Sequence, residues 1–245
     1  MERPDKDENR AFYDTQREHD RLRFDEHPSK AFLADTLVHW VTSDLAPGAR
    51  ILDIAGGSGA YASRIVRAAQ VTVVGLDISA SMIEQRAEDP LLPENVVGDM
   101  EELPFDESSF DAALFVACLH HVPDPLPALE EAHRILKPGG RLFAAEPCSL
   151  RVGKTGVAPV PGHQHEFRIS LPYLAGRIRT AGFHIDEIAG KRTVLRLVRP
   201  ILRHPSLETF RNADRIDRAL ARVPGYVRLA ELALIRGTRP IGSEH

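Results

Sequence analysis

Four acidic residues each close an apolar run: Asp53 after RIL-D, Asp77 after VTVVGL, Asp99 after NVVG and Glu146 after RLFAA. A carboxylate only accepts hydrogen bonds, so such residues suit hydroxyls, amines and cations. Two adjacent histidines, His120 and His121, follow a fifth apolar run, FDAALFVACL. A histidine can take a proton near neutral pH. One residue after Asp53, following Ile54, stands AGGSG, with Gly56, Gly57 and Gly59 inside four positions. Such a loop lets a ligand approach the backbone. Further candidates are His163, His165 and Glu166 in PGHQHEF, and Tyr13 and His19 near the N-terminus.

The elements around these residues alternate. Strands are expected at 50–54, 71–76, 95–97, 110–117 and 141–145, and helices at 60–69, 79–87 and 125–136. The strands read as continuous apolar runs, which fits a mostly parallel sheet covered by helices on both faces. Right-handed crossovers then put every strand's carboxyl end on one edge, where ligands bind. All four acids and the segment Ala117 to His121 fall there. A helix is expected from Ser29 to Ser43, a Gly/Pro-rich loop over 147–169, a helix from Ser170 to Ala181, a strand at 183–188, and a last strand at 226–236. The fold expected is α/β: a Rossmann-like seven-stranded sheet with an N-terminal helical lid and a helical insert, about 194–222, before the last strand. It reads as one domain, with a lid over 1–45, a cofactor-binding core over 46–147 and a substrate-side half over 148–245.

The glycine loop fits two cofactors. Gly57, Gly59 and Ala62 satisfy the dinucleotide pattern G-x-G-x-x-[G/A]. A pyrophosphate, however, prefers a helix N-terminus free of a nearby carboxylate. Asp53 suits instead the cationic, phosphate-free methionine end of S-adenosylmethionine. Asp77 can accept both ribose hydroxyls of either cofactor. Asp99 can accept from an adenine amino group, with Met100 against the ring.

With these residues the chain resembles class I S-adenosylmethionine-dependent methyltransferases, especially the ubiquinone/menaquinone biosynthesis group. The resemblance spans about residues 30–190 and rests on ILDIAGGSG, VVGLDIS, GDMEELPFDESSFDAALFVACLHHVPDP and EAHRILKPGGRLFAAEP. Ala55 stands where the family pattern [D/E]-x-G-x-G-x-G has its first glycine. The resemblance implies that Asp53, Gly57 and Gly59 line the methionine end and that Asp77 and Ile78 hold ribose and adenine. It places Asp99 and Met100 at the adenine, and Ala117 and His120 beside the cofactor. Tyr13 and His19, in the N-terminal segment, are expected to cover the cofactor as a lid. The alternatives are a NAD-dependent oxidoreductase and a non-catalytic module that binds the same cofactor.

Methyl transfer from a sulfonium needs alignment and desolvation, and a base only when the nucleophile arrives protonated. The catalytic candidates are His165, Glu146 and His121. No metal is expected. Cys118 reads as a small buried hydrophobe. The acceptor expected is a small molecule, methylated on oxygen or carbon, such as a lipid, a sugar or a secondary metabolite.

The 245 residues carry a net charge of −4, which argues against general nucleic-acid affinity. Between Lys191 and Arg228, however, ten Lys/Arg stand against Glu208, Asp214 and Asp217, a local balance of about +7. In this stretch Leu207, Phe210, Ile216 and Leu220 are expected on one helical face, with Arg211, Arg215, Arg218 and Arg222 on another. Peripheral membrane contact without insertion, a dimer contact and a solvated surface are all compatible with it. A charged N-terminus, two cysteines and no apolar run of about 18 residues point to a cytoplasmic monomer or homodimer.

Overall fold

The computed structural model describes residues 6–15, 28–150, 152, 155–161, 163–194, 206–221, 223 and 225–242. Its centre is a seven-stranded sheet in the order β3-β2-β1-β4-β5-β9-β8. The strands are β1(Arg50–Ile54), β2(Thr72–Asp77), β3(Asn95–Val97), β4(Phe110–Val116), β5(Leu136–Pro147), β8(His184–Lys191) and β9(Leu232–Thr238). Strands β1 to β5 pair in parallel, and β9 runs antiparallel between β5 and β8.

Alternate residues of the central strands feed two cores. Leu52, Ile54, Ala113, Phe115, Leu142 and Ala144 face helices α5(Leu126–Ile135) and α6(Leu171–Thr180). Ile51, Val73, Leu114, Phe143 and Ala145 face α2(Pro28–Thr42) and α3(Ala60–Ala68). Burial on both faces explains why these strands read as unbroken apolar runs. Two helices on the site side start at serine caps. The Ser79 hydroxyl accepts from Met82 N at the start of α4(Ala80–Ala87), and Ser170 accepts from Tyr173 N at the start of α6.

The structure departs from the sequence reading in two places. The stretch expected as a loop at 147–169 contains an antiparallel hairpin, β6(Val157–Val160) and β7(His163–Ile169). Its Pro161-Gly162 pair is a turn signal, and Pro159 is tolerated because β6 has a neighbour on one side alone. The last strand starts at Leu232 rather than Tyr226, because Tyr226–Leu229 forms a 3₁₀ turn opened by Gly225 at φ 82. Helix α1(Lys6–Thr15) occupies the expected lid segment, and α7(Leu207–Leu220) lies within the expected insert.

Candidate cofactor and acceptor site

The chain leaves β1 through a tight left-handed loop. Ala55 has φ 51, Gly57 φ 53 and Gly59 φ 77, and Gly59 opens α3. The family glycine that Ala55 replaces is thus one the backbone favours, and alanine there costs about 1–2 kcal/mol. In front of Gly57 a Cβ would meet nothing within 4 Å, so the loop backbone faces open space. Asp77, buried at the end of β2, holds this loop: its Oδ2 accepts from Gly57 N at 2.8 Å and its Oδ1 from Ser79 N at 2.9 Å. Burial pushes the Asp77 carboxyl above the usual aspartate range, and the two amide bonds oppose that rise. Each oxygen retains a lone pair for a further donor. Ile78, half-buried, follows it.

Asp53 departs from the expectation of a carboxylate offered to a cation. It is buried, and its Oδ2 accepts from Arg86 Nη1 at 2.7 Å. Arg86, on α4, is 0% exposed, and its Nε and Nη2 have no hydrogen-bond partner. The guanidinium fits because Gly75 and Gly59 leave its space free; a Cβ on either would collide with it. The charge of Asp53 is therefore balanced beneath the loop, and its carboxylate lies against Gly56. Arg86 was not singled out in the sequence. The signal was its i+4 spacing from the buried Met82, which places it on the inner face of α4.

Asp99 lies beyond β3. Its Oδ1 accepts from Glu101 N at 2.9 Å, and its Oδ2 pairs with Lys6 of α1. The other end of α1 is tied to the start of α4, where Asp14 Oδ1 accepts from Ser79 Oγ at 2.6 Å and from Ser81 N at 3.3 Å. That bond from Ser79 holds the Asp14 carboxyl below the usual aspartate range. Helix α1 thus bridges the ends of β2 and β3. Met100 packs half-buried against the core. The backbone of Tyr13 lies in α1, while its side chain and all of His19 lie outside the described residues.

At the end of β4, Ala117 is exposed with φ 54, and a 3₁₀ turn, Leu119–His121, follows. Glu146, at the end of β5, is 0% exposed. Its Oε1 accepts from Cys118 N at 2.8 Å and Leu119 N at 2.9 Å, and its Oε2 lies 3.0 Å from His120 Nδ1. This burial corrects the expectation that Glu146 meets the acceptor directly. It also gives His120 a defined tautomer: a carboxylate only accepts, so Nδ1 carries the hydrogen and Nε2 is left as the acceptor. His121 stacks against the His120 ring at 4.1 Å between centroids. Burial pushes the Cys118 thiol well up, so it is no nucleophile. His165 lies on β7, which packs against the 3₁₀ turn, and its side chain is outside the described residues, as is that of His163. Just after the turn, Tyr173 and Arg177 of α6 contact Pro123 and Asp124, and Glu131 and Arg134 of α5 clamp a separate loop, between β3 and β4, at Leu103 and Phe105.

Comparison with known proteins bears on this edge. The family described as "Methyltransferase domain" matches residues 52–144. The ubiquinone/menaquinone biosynthesis C-methyltransferase UbiE of Brucella suis biovar 1 (strain 1330) is 43% identical over 122 residues, 46% of this chain and 45% of that protein. The chain thus spans about half the length of the curated relatives it matches. Three solved structures share the fold. A [4+2]-cyclase, SpnF, has TM-score 0.63 and 22% identity, over 87% of this chain and 82% of that one. A phosphoethanolamine N-methyltransferase 2 of Haemonchus contortus, in complex with S-adenosyl-L-methionine, has TM-score 0.60 and 18% identity, over 85% and 52%. A SAM-dependent methyltransferase of Methanosarcina mazei has TM-score 0.59 and 23% identity, over 83% and 98%. The similarity over residues 52–144 supports the class I S-adenosylmethionine-dependent methyltransferases as the class this chain resembles. The matched stretch, residues 52–144, runs from β1 into β5 and contains Asp53, Asp77, Asp99 and His120.

The residues fit the cofactor of that class. An open glycine backbone, an oriented Asp77 carboxylate with spare lone pairs and Asp99 at the next strand end suit a ligand of hydroxyls and amines. Two non-glycine residues at positive φ, Ala55 and Ala117, flank the same edge; backbone strain of this kind clusters at ligand sites.

Proposed function

We propose that the chain transfers the methyl group of S-adenosylmethionine to a small-molecule acceptor that arrives protonated, an acidic C–H or an O–H. Bound at the loop, the cofactor supplies an electrophilic methyl on a sulfonium. Asp77 would bind the ribose hydroxyls, Asp99 the adenine amino group once Lys6 yields it, and the Gly57 backbone the methionine end. His120 Nε2 would take the proton of the acceptor, while Glu146 holds the ring and stabilises the imidazolium formed. Glu146 acts through His120 and is a positioning residue. Carbon methylation of a phenol or reduced quinone ring is the favoured acceptor chemistry, by analogy with what the name UbiE says of that relative.

The observation that carries this reading is the pairing of buried Glu146 with half-buried His120 just beyond the carboxyl end of β4. Incubation with methyl-labelled S-adenosylmethionine and a panel of phenols and reduced benzoquinones tests it. Label in an organic-soluble product supports the reading. Binding of S-adenosylhomocysteine without transfer to any acceptor would instead indicate a non-catalytic module. Since SpnF, named a [4+2]-cyclase, has the same fold, label transfer rather than fold decides.

A further inference from the structure

Helix α7 is set on the sheet in an unusual orientation. Its buried residues are Ala213, Asp214 and Asp217, so two of its three acids face inward. Asp214 accepts from Lys191 Nζ at 2.8 Å, and Lys191 is itself buried at the end of β8. Asp217 accepts from Thr193 N, Val194 N and the Tyr226 hydroxyl, the last at 2.7 Å. The Tyr226 hydroxyl is in turn pushed up to about 12 by burial and by that carboxylate. Four polar anchors thus fix which way the helix faces.

The outward side is what remains. Arg211, Arg215 and Arg218 recur at i, i+4 and i+7 and are all exposed. Ile216, Leu220 and Val223 recur at i, i+4 and i+7 as well and are 45%, 36% and 49% exposed. The buried acids have taken the inner face, so Ile216 and Leu220, expected on one helical face with Leu207 and Phe210, are exposed while Leu207 and Phe210 are half-buried. With Asp214 and Asp217 turned in, Glu208 in the first turn is the remaining exposed acid of α7. A row of arginines beside a row of exposed aliphatic side chains is the composition of a helix that lies in a bilayer interface: the aliphatic groups enter the acyl boundary and the guanidinium groups meet anionic head groups.

We infer that the outer face of α7 docks the protein on an anionic membrane surface. No helix among the described residues is long and apolar enough to cross a membrane, so the contact is peripheral. Helix α7 follows β8 and is pinned at that strand's carboxyl end by Lys191, on the edge of the sheet where Asp53, Asp77 and Glu146 lie. Docking would bring that edge toward the bilayer. The inference stands on the orientation of α7 and is independent of the methyl-transfer reading.

Co-sedimentation of the full chain with vesicles of phosphatidylcholine alone, or with 30% phosphatidylglycerol (about one anionic lipid in three), tests it. Binding is expected to the anionic vesicles, at least roughly tenfold over the neutral ones, and to weaken as salt is raised. Arg211→Gln with Arg215→Gln should lower partitioning by roughly fivefold per arginine removed. Ile216→Ser with Leu220→Ser should lower it by roughly tenfold or more. All four sites are surface positions, and unchanged thermal melts would show that the fold is intact. Equal binding to both vesicle types, or wild-type binding by the arginine variant, would overturn the inference. Binding to an acidic polypeptide or a DNA oligomer in preference to anionic vesicles would overturn it in favour of a different partner.

Discussion

The two edges of the sheet treat their carboxylates differently. At the amino edge, acids meet cations near the surface: Arg50 pairs with Glu94 and Lys137 with Asp111, while the half-buried Arg141 pairs with Asp44 and Asp186. At the carboxyl edge, two acids are held chiefly by amide N–H groups. Asp77 is bonded by Gly57 and Ser79, and Glu146 by Cys118, Leu119 and the His120 ring. Exposed pairs neutralise charge and contribute little. Carboxylates fixed by backbone donors are held in a defined direction. One edge is therefore a solvated surface, while the other is an oriented field into which a polyhydroxylated, amine-bearing ligand fits.

Substitutions should separate the edges sharply. The largest effect is expected at Arg86, whose loss leaves Asp53 buried and unpaired. Arg86→Met should lower stability by about 3–5 kcal/mol, and removing both charges in Asp53→Asn with Arg86→Met should restore much of it. Urea titration of both variants checks this; equal stability of Arg86→Met and wild type would show that the pair does not hold the loop. Next comes His120. His120→Gln should reduce the methyl-transfer rate by about 10²–10³-fold while leaving S-adenosylhomocysteine affinity within a factor of three, the mark of a base. Glu146→Gln should follow it in rate and change its pH profile, because the ring loses its orienting acceptor. If either variant turns over at the wild-type rate, His120 is not the base.

Smaller effects sharpen the contrast. Ala55→Val should cost about 1–3 kcal/mol, since a branched side chain is strained at φ 51, whereas Ala55→Gly should stay within about 1 kcal/mol of wild type. Thermal melts decide between them. At the amino edge, Lys137→Ala breaks an exposed pair and should cost less than about 1 kcal/mol, with cofactor affinity unchanged. A loss of affinity there would erase the distinction between the edges.

Much of the carboxyl edge was legible in the sequence because its parts are local. Each acid follows its own strand, and parallel topology alone brings strand ends together. The partners of those acids were less legible because they come from distant elements. Arg86 reaches Asp53 across a gap left by Gly75, Lys6 reaches Asp99 from the N-terminal helix, and Glu146 reaches back 28 positions to Cys118 N. The hairpin β6–β7 was hidden by its Gly and Pro content, which reads as a loop until a second strand is found to pair with it. The orientation of α7 was not legible from its apolar pattern, because burial follows that pattern only when polar anchors do not override it, and Asp214 and Asp217 do.

Titration calorimetry with S-adenosylhomocysteine tests the role of the carboxyl edge most directly. Wild-type protein and Lys137→Ala are expected to bind alike, with an affinity in the micromolar range. Asp77→Ala, which would remove the proposed acceptor for two hydroxyls, is expected to bind at least about 100-fold more weakly, as loss of two charge-assisted hydrogen bonds of roughly 1.5–3 kcal/mol each implies. In the wild type, affinity should fall on acidification from a higher pH than an ordinary aspartate would give, because burial raises the Asp77 carboxyl and its neutral form no longer accepts from both hydroxyls. Equal binding by Asp77→Ala and wild type would contradict the account.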